Sequence, residues 1–374
     1  MLSLEISSKY DYGVYSMNTT PPPFRPSLLL RNRHIQTCWS TIARKNLQID
    51  LNYERVELKD RDFIDLAWTL PQKGPILLIL HGLEGSTKSP YARGLLTAVS
   101  ENGWLGALMH FRGCSDTPNR TMRAYHSGET EDLKEVLNHI KKQFPQRPLL
   151  ACGFSLGGNV LLKYLGESGH NTLIDAAVAV SVPYSLGNCS DRIHEGFSRI
   201  YEHRLLSSLK RALLHKMARF NHSTYFGLTP KLIHKLRSIR EFDDAVVAPM
   251  YGFLSANDYY NRCSSKQFLN GIRRPTLLIH ASDDPFMPSN IIPHQSDLSE
   301  HIELAISPRG GHVGFIEGQP WNPKYWLEER IPRFLNEQLP KEILGAKQSS
   351  NKNKHPAQAR PGSKSGCLDS NLNN

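Results

Sequence analysis

Paired cysteines are missing from this 374-residue chain. Its six cysteines, Cys38, Cys114, Cys152, Cys189, Cys263 and Cys367, stand singly with no CxxC spacing. That excludes a disulfide framework and a cysteine-held zinc site, and it fits a reducing, cytoplasmic compartment. Long apolar runs are missing too. The best stretch, Asp175–Pro183, is far shorter than the ~18–20 residues a membrane span needs. The N-terminus carries Glu5, Asp11 and several Ser and Tyr residues rather than a basic start followed by an apolar stretch, so it does not read as a signal peptide, and Met17 could serve as the start. No nucleic-acid motif of the zinc-finger, RNP or helix-turn-helix kind stands out, and no internal repeat.

What the chain does have is a formal charge of +10. Such a charge invites a nucleic-acid or anionic-membrane partner, but its distribution is uneven. Residues 184–274 hold 15 Lys plus Arg against 7 Asp plus Glu, and residues 345–374 hold 5 against 1. The remainder is nearly neutral, with 25 against 27. Two segments therefore carry the whole excess.

The order of elements points to an α/β fold. Residues 1–27 are polar, end in TPPPFRP and read as a flexible lead-in. Residues 53–58 and 63–69 read as two strands joined by a polar turn. Apolar runs at Ile76–Leu80, Leu105–Phe111, Leu149–Phe154, Ala176–Val182 and Thr276–Ala281, with a shorter one at Glu303–Ile306, read as further strands, most of them buried on both faces. Helical spacing fills Pro90–Glu101, Glu129–Gln143, Leu156–Leu165 and 323–339. Strands alternating with helices imply a mostly parallel sheet flanked by helices. This core occupies 28–183 and 271–344. Between its halves, 184–270 reads as a helical lid insertion, and 345–374, almost devoid of large apolar residues, reads as a disordered basic tail. Within the insertion, Leu205, Leu206, Leu209, Leu213, Leu214, Met217 and Phe220 recur at helical spacing among Arg204, Lys210, Arg211, Lys216 and Arg219. Two roles fit this helix. It could pack its Leu stripe on the core and leave a solvated basic face, which is favoured, or associate weakly with anionic lipid surfaces.

The strongest chemical signal is Gly153-Phe154-Ser155-Leu156-Gly157, a G-x-S-x-G between a strand and a helix, the context of a nucleophile elbow. Such a Ser stands at a helix N-terminus, where negative charge is stabilised. A serine hydroxyl is a weak nucleophile and needs a base, which an acid must orient. In this fold the order is Ser, acid, His. Asp284, in the loop after the Thr276–Ala281 strand, is the expected acid, with Asp283 as its competitor. His312, among glycines in PRGGHVG, is the expected base. His81 precedes the Ser and has the wrong order. An oxyanion hole needs two backbone N–H donors, expected at Leu156 and at Leu83 in HGLEGS.

These motifs together resemble the YheT-like esterases of the α/β-hydrolase superfamily. The resemblance rests on RNRHIQT (31–37), HGLEGS (81–86), Tyr91-Ala92-Arg93-Gly94, FRGCSD (111–116), YHSGETED (125–132), GFSLGGN (153–159), DDPF (283–286) and GGHVGF (310–315), and spans residues 31 to about 339. It implies the α/β-hydrolase fold, a Ser155–Asp284–His312 triad, and hydrolysis of short- to medium-chain or lipid carboxylic esters without metal or organic cofactor. Two departures stand out: His110 replaces the family's usual Asn, and the membrane anchor of eukaryotic members has no counterpart, which argues against a tethered role. RNRHIQT and FRGCSD have no mechanism legible from residue types. Arg112 is expected to be a structural partner for an acid such as Glu129 rather than a substrate contact. The rival readings are an acyltransferase or thioesterase with the same triad, and a catalytically silent lipid-binding module. Oligomeric state is not legible.

Overall fold

A computed structural model describes residues 23–340. The polar segment 1–22, with Met17, and the tail 345–374 lie outside the described residues. An eight-stranded sheet has the order β1-β2-β4-β3-β5-β6-β7-β8. The strands are β1 (Asn52–Glu57), β2 (Phe63–Trp68), β3 (Ile76–Leu80), β4 (Leu105–Met109), β5 (Leu149–Phe154), β6 (Ala176–Val180), β7 (Thr276–Ala281) and β8 (Ile302–Ser307). β1, β2 and β4 pair antiparallel in sequence, and every pair from β4 to β8 is parallel. The β3–β7 side chains are all buried, because helices cover both faces.

The flanking helices are α1 (Arg33–Ala43), α2 (Pro90–Glu101), α3 (Glu131–Gln143) and α4 (Leu156–Ser168). Their stripes are short apolar repeats: α3 buries Leu133, Val136, Leu137 and Ile140 at the spacing expected for one helix face. Between β6 and β7 the chain forms α5 (Leu186–Ile193), α6 (Arg199–Arg219), α7 (Pro230–Lys235), α8 (Ile239–Phe242), α9 (Ala248–Tyr251) and α10 (Ala256–Cys263), with a π-helical turn at Asp243–Val247. These helices build their own apolar cluster around Leu206, Leu213, Met217, Phe242 and Tyr259. A hairpin, β9 (Ile316–Gln319) with β10 (Asn322–Tyr325), precedes the last helix, α11 (Trp326–Glu337).

Several sequence expectations change. The closing helix starts at Trp326, because the residues before it form the second strand of that hairpin. The end of the lead-in is packed: Phe24 is buried edge-on against Phe315 and Trp326. The basic face of α6 is not simply solvated. Lys216 is buried and its Nζ donates to the Arg123 carbonyl at 2.6 Å, while burial lowers its pKa to about 8. Lys210 donates to the His234 and Leu236 carbonyls, and Arg219 to those of Pro118 and Asn119. These cations fasten loops to the helix.

Candidate active site

Ser155 follows β5 and opens α4. Its φ of 51° and ψ of −118° lie outside the regions non-glycine residues favour. The turn closes so tightly that a Cβ on Gly153 would stand 2.6 Å from the Gly157 carbonyl oxygen, and one on Gly157 would strike the Leu80 and His81 carbonyls. Small residues at these two positions are what allow the turn. Its result is a hydroxyl raised at the carboxyl end of the sheet.

The two expected partners arrive from loops after β7 and β8. His312 Nε2 stands 3.0 Å from Ser155 Oγ, and His312 Nδ1 stands 2.8 Å from Asp284 Oδ2. An ionised carboxylate only accepts, so the Nδ1 proton points at Asp284 and Nε2 faces the serine as an acceptor. Asp284 is buried, and its other oxygen accepts from the Phe286 N–H at 2.8 Å. The neighbouring carboxylate does a different job: Asp283 Oδ1 accepts from the Gly311 N–H at 2.9 Å. One Asp meets the imidazole and the other anchors the loop that carries it.

The loop after β3 supplies the remaining geometry. Gly82 N–H donates to the Tyr91 hydroxyl, Glu84 N–H to the Tyr125 hydroxyl and Gly85 N–H to the Gly82 carbonyl. Among the described residues the Leu83 N–H has no such acceptor, and neither does Leu156 N–H at the first position of α4. Tyr125 also donates to Glu84 Oε1 at 2.9 Å, and Ser208 of α6 donates to Glu84 Oε2 at 2.6 Å. His81 is fully buried with its pKa lowered to about 3 by desolvation. It therefore stays neutral, its ring bonded to the Gly82 carbonyl and the Phe111 N–H.

Residues that sequence reasoning left without a role support these loops. Asn32 caps α1 by accepting from the His34 and Ile35 N–H groups. Gln36, wholly buried, donates to the Leu30 carbonyl at 2.7 Å and the Ile316 carbonyl at 2.9 Å, and accepts from Ile316 N–H at 2.7 Å. Thr37 Oγ1 accepts from the His312 N–H at 3.0 Å while donating to the Arg33 carbonyl. RNRHIQT is thus the brace of the His312 loop. The Phe286 ring stacks on the imidazole, with centroids 4.1 Å apart and planes 10° from parallel. Asn32 reads as a helix cap, but no local spacing reports the distant partners of Gln36 and Thr37. The Phe286 stack had no signal beyond adjacency to Asp284.

Arg112 is structural, but its partners differ from the expected Glu129. It pairs with Asp132 in the first turn of α3 at 2.7 Å, and with Asp60 at 2.7 Å and Asp62 at 3.2 Å in the turn between β1 and β2. Glu129 is held by Arg123 instead. Asp62 is desolvated, yet N–H and side-chain donors from Arg120, Thr121, Asn119 and Phe63 bring its pKa down to about 2.

A cleft of about 720 Å³ opens over Ser155. Its walls come from α1 (Thr37, Ile42), the β3 loop, and α5 and α6 (Leu186, Ile193, Tyr201, Leu205). That volume is typical of sites for small organic ligands. No group of His, Cys, Asp and Glu suited to hold a metal occurs among the described residues.

Residues 75–319 match the alpha/beta hydrolase fold family. The chain is 45% identical over 323 residues to the Escherichia coli (strain K12) protein named "Putative esterase YheT", covering 84% of this chain and 94% of that one. The chain is a YheT-like member of the α/β-hydrolases. It is also 31% identical over 265 residues to the Saccharomyces cerevisiae monoacylglycerol lipase, covering 70% of this chain and 59% of that one. Mouse phospholipase ABHD3 is 32% identical over 245 residues, covering 65% and 59%. Among solved structures, the Pyrococcus furiosus esterase Pf2001 superposes with a TM-score of 0.51 at 17% identity, covering 79% of this chain and 95% of that one, a likeness of fold. No helix among the described residues is long and apolar enough to cross a membrane.

Proposed function

We propose that this hydrolase cleaves carboxylic esters, of short- to medium-chain acyl groups or of lipids, through Ser155, His312 and Asp284. The observation that carries the reading is the unbroken relay from Ser155 Oγ through His312 to Asp284, 3.0 and 2.8 Å long, at the floor of a cleft beside two unengaged N–H groups. The relatives named esterase, monoacylglycerol lipase and phospholipase support the same chemistry.

His312 Nε2 takes the proton as Ser155 Oγ attacks the ester carbonyl. The Leu83 and Leu156 N–H groups hold the resulting oxyanion, aided by the α4 N-terminus. His312 then protonates the leaving alcohol, which departs from an acyl-Ser155 intermediate. Water deprotonated by His312 attacks that acyl group and releases the acid. Asp284 fixes the imidazole tautomer and stabilises its cationic form. The helices between β6 and β7 serve as the lid that shapes the acyl site.

A fluorophosphonate probe, which needs an activated serine, is expected to label wild type and not Ser155→Ala. With p-nitrophenyl esters from acetyl to palmitoyl, Asp284→Asn should lose about 10³–10⁴-fold in kcat, because an amide presents the wrong donor to Nδ1. Asp283→Asn keeps an acceptor for Gly311 and should lose less than about tenfold. Equal losses in the two Asp variants, or labelling of Ser155→Ala, would refute the triad as assigned. Added ethanol or acyl-CoA separates acyl transfer from hydrolysis.

A further inference from the structure

The mouth of the cleft carries apolar surface that the other described residues leave uncovered. Ile35 and Ile42, seven residues apart, share one face of α1; Phe197 lies in the turn that leads into α6 and Ile200 in its first turn. Ile42, Phe197 and Ile200 are 57% to 64% exposed, and Ile35 is exposed as well. The two segments are neighbours. His34 of α1 packs its ring on Phe197 with centroids 4.4 Å apart and bonds the Tyr201 hydroxyl at 3.0 Å, and Cys38 Sγ stands 3.6 Å from the same hydroxyl. Tyr201 and Ile42 both line the cleft, so the exposed side chains sit at its rim.

The charge around this rim has one dominant sign. Arg31, Arg33, Arg199 and Arg204 are exposed and form no ion pair among the described residues. Glu195 is the exposed acid beside them, whereas Glu202 is buried against His194. Farther along α6, Lys210, Lys216 and Arg219 are committed to loop carbonyls and Arg211 is exposed, whereas both arginines at this end, Arg199 and Arg204, are exposed. Apolar side chains ringed by free guanidinium groups match an interface whose outer layer is anionic and whose interior is hydrocarbon.

We infer that α1 and the first turns of α6 form a docking face for an anionic lipid surface, seated so that the cleft opens onto the bilayer. Apolar rim residues enter the headgroup boundary, and the four arginines meet lipid phosphates. The inference goes beyond the ester-hydrolase reading, and its test reads binding rather than turnover, so the two stand or fall separately.

The test is flotation of the full chain with phosphatidylglycerol vesicles and, in parallel, with pure phosphatidylcholine vesicles. Wild type is expected to float with the anionic vesicles and to be released by high salt. The double variant Arg199→Glu, Ile200→Asp should bind at least about tenfold more weakly, since it reverses one charge and removes one apolar anchor. Neither residue lines the cleft, so hydrolysis of a soluble short-chain ester should persist and shows that the variant is folded. Equal flotation of wild type and variant, no preference for the anionic vesicles, or a dimer by sedimentation that the same variant dissolves would each overturn the inference.

Discussion

Asp243 stands in the wall of the cleft and takes no part in the proposed chemistry. It lies in the π-helical turn, buried, with the Tyr260 hydroxyl 2.7 Å from Oδ2 and no cation in contact among the described residues. Desolvation raises its pKa to about 7, with the Tyr260 bond and the more distant Arg240 charge pulling the other way. In the unfolded chain the same carboxyl ionises near ~3.9. Between those two values the folded state keeps a proton that the unfolded state has released, so stability falls as pH rises through the window from about 4 to about 7 and stays lowered above it. Asn in its place cannot ionise but can still accept from Tyr260. Asp243→Asn should therefore raise the melting temperature more at pH 8 than at pH 4. A thermal scan of both proteins at the two pH values checks this, and an equal shift at both would show that ionisation is not the cost.

The long elements of this fold were legible because each is a local pattern. Ile76–Leu80 declares a buried strand, and the Leu133–Ile140 stripe declares a helix face. What stayed hidden is made of polar bonds between residues far apart in sequence. Gln36 joins Ile316 across 280 positions, and Thr37 meets His312 across 275. Nothing in a window of neighbours reports such a bond. The hairpin β9–β10 was missed for a related reason: its strands are four residues each, one contains Pro323, and they pair only with each other. The site was more legible than its supports, since Ser155, Asp284 and His312 follow a fixed order while α1 reaches them from the far end of the chain. The brace is directly testable. Thr37→Val removes the acceptor for the His312 N–H and should lower kcat about tenfold or more, with Thr37→Ser restoring it. Gln36→Leu strands the buried Ile316 N–H and two carbonyls and should cost about 2–4 kcal/mol of stability, measured by urea unfolding. Normal kcat in Thr37→Val would remove α1 from the account of how His312 is positioned.

Across the whole molecule, the charge of +10 has three different fates. Part of the excess in 184–274 is spent inside the fold, where Lys210, Lys216 and Arg219 hold loop carbonyls and Arg240 pairs with Asp191. Another part surrounds the cleft mouth as exposed arginines that form no ion pair among the described residues. The last part, five basic residues against one acid in 345–374, follows the final described helix, which ends at Glu337. The relay at Ser155, the brace from α1 and the cleft walls all draw on residues 30–316, so none of them needs that last share of charge. Deleting 345–374 should therefore leave kcat/KM for a soluble p-nitrophenyl ester and the melting temperature unchanged, while lowering the isoelectric point. Loss of turnover in a truncated protein that melts normally would show that the tail belongs to the active unit, and that positive charge there acts on catalysis.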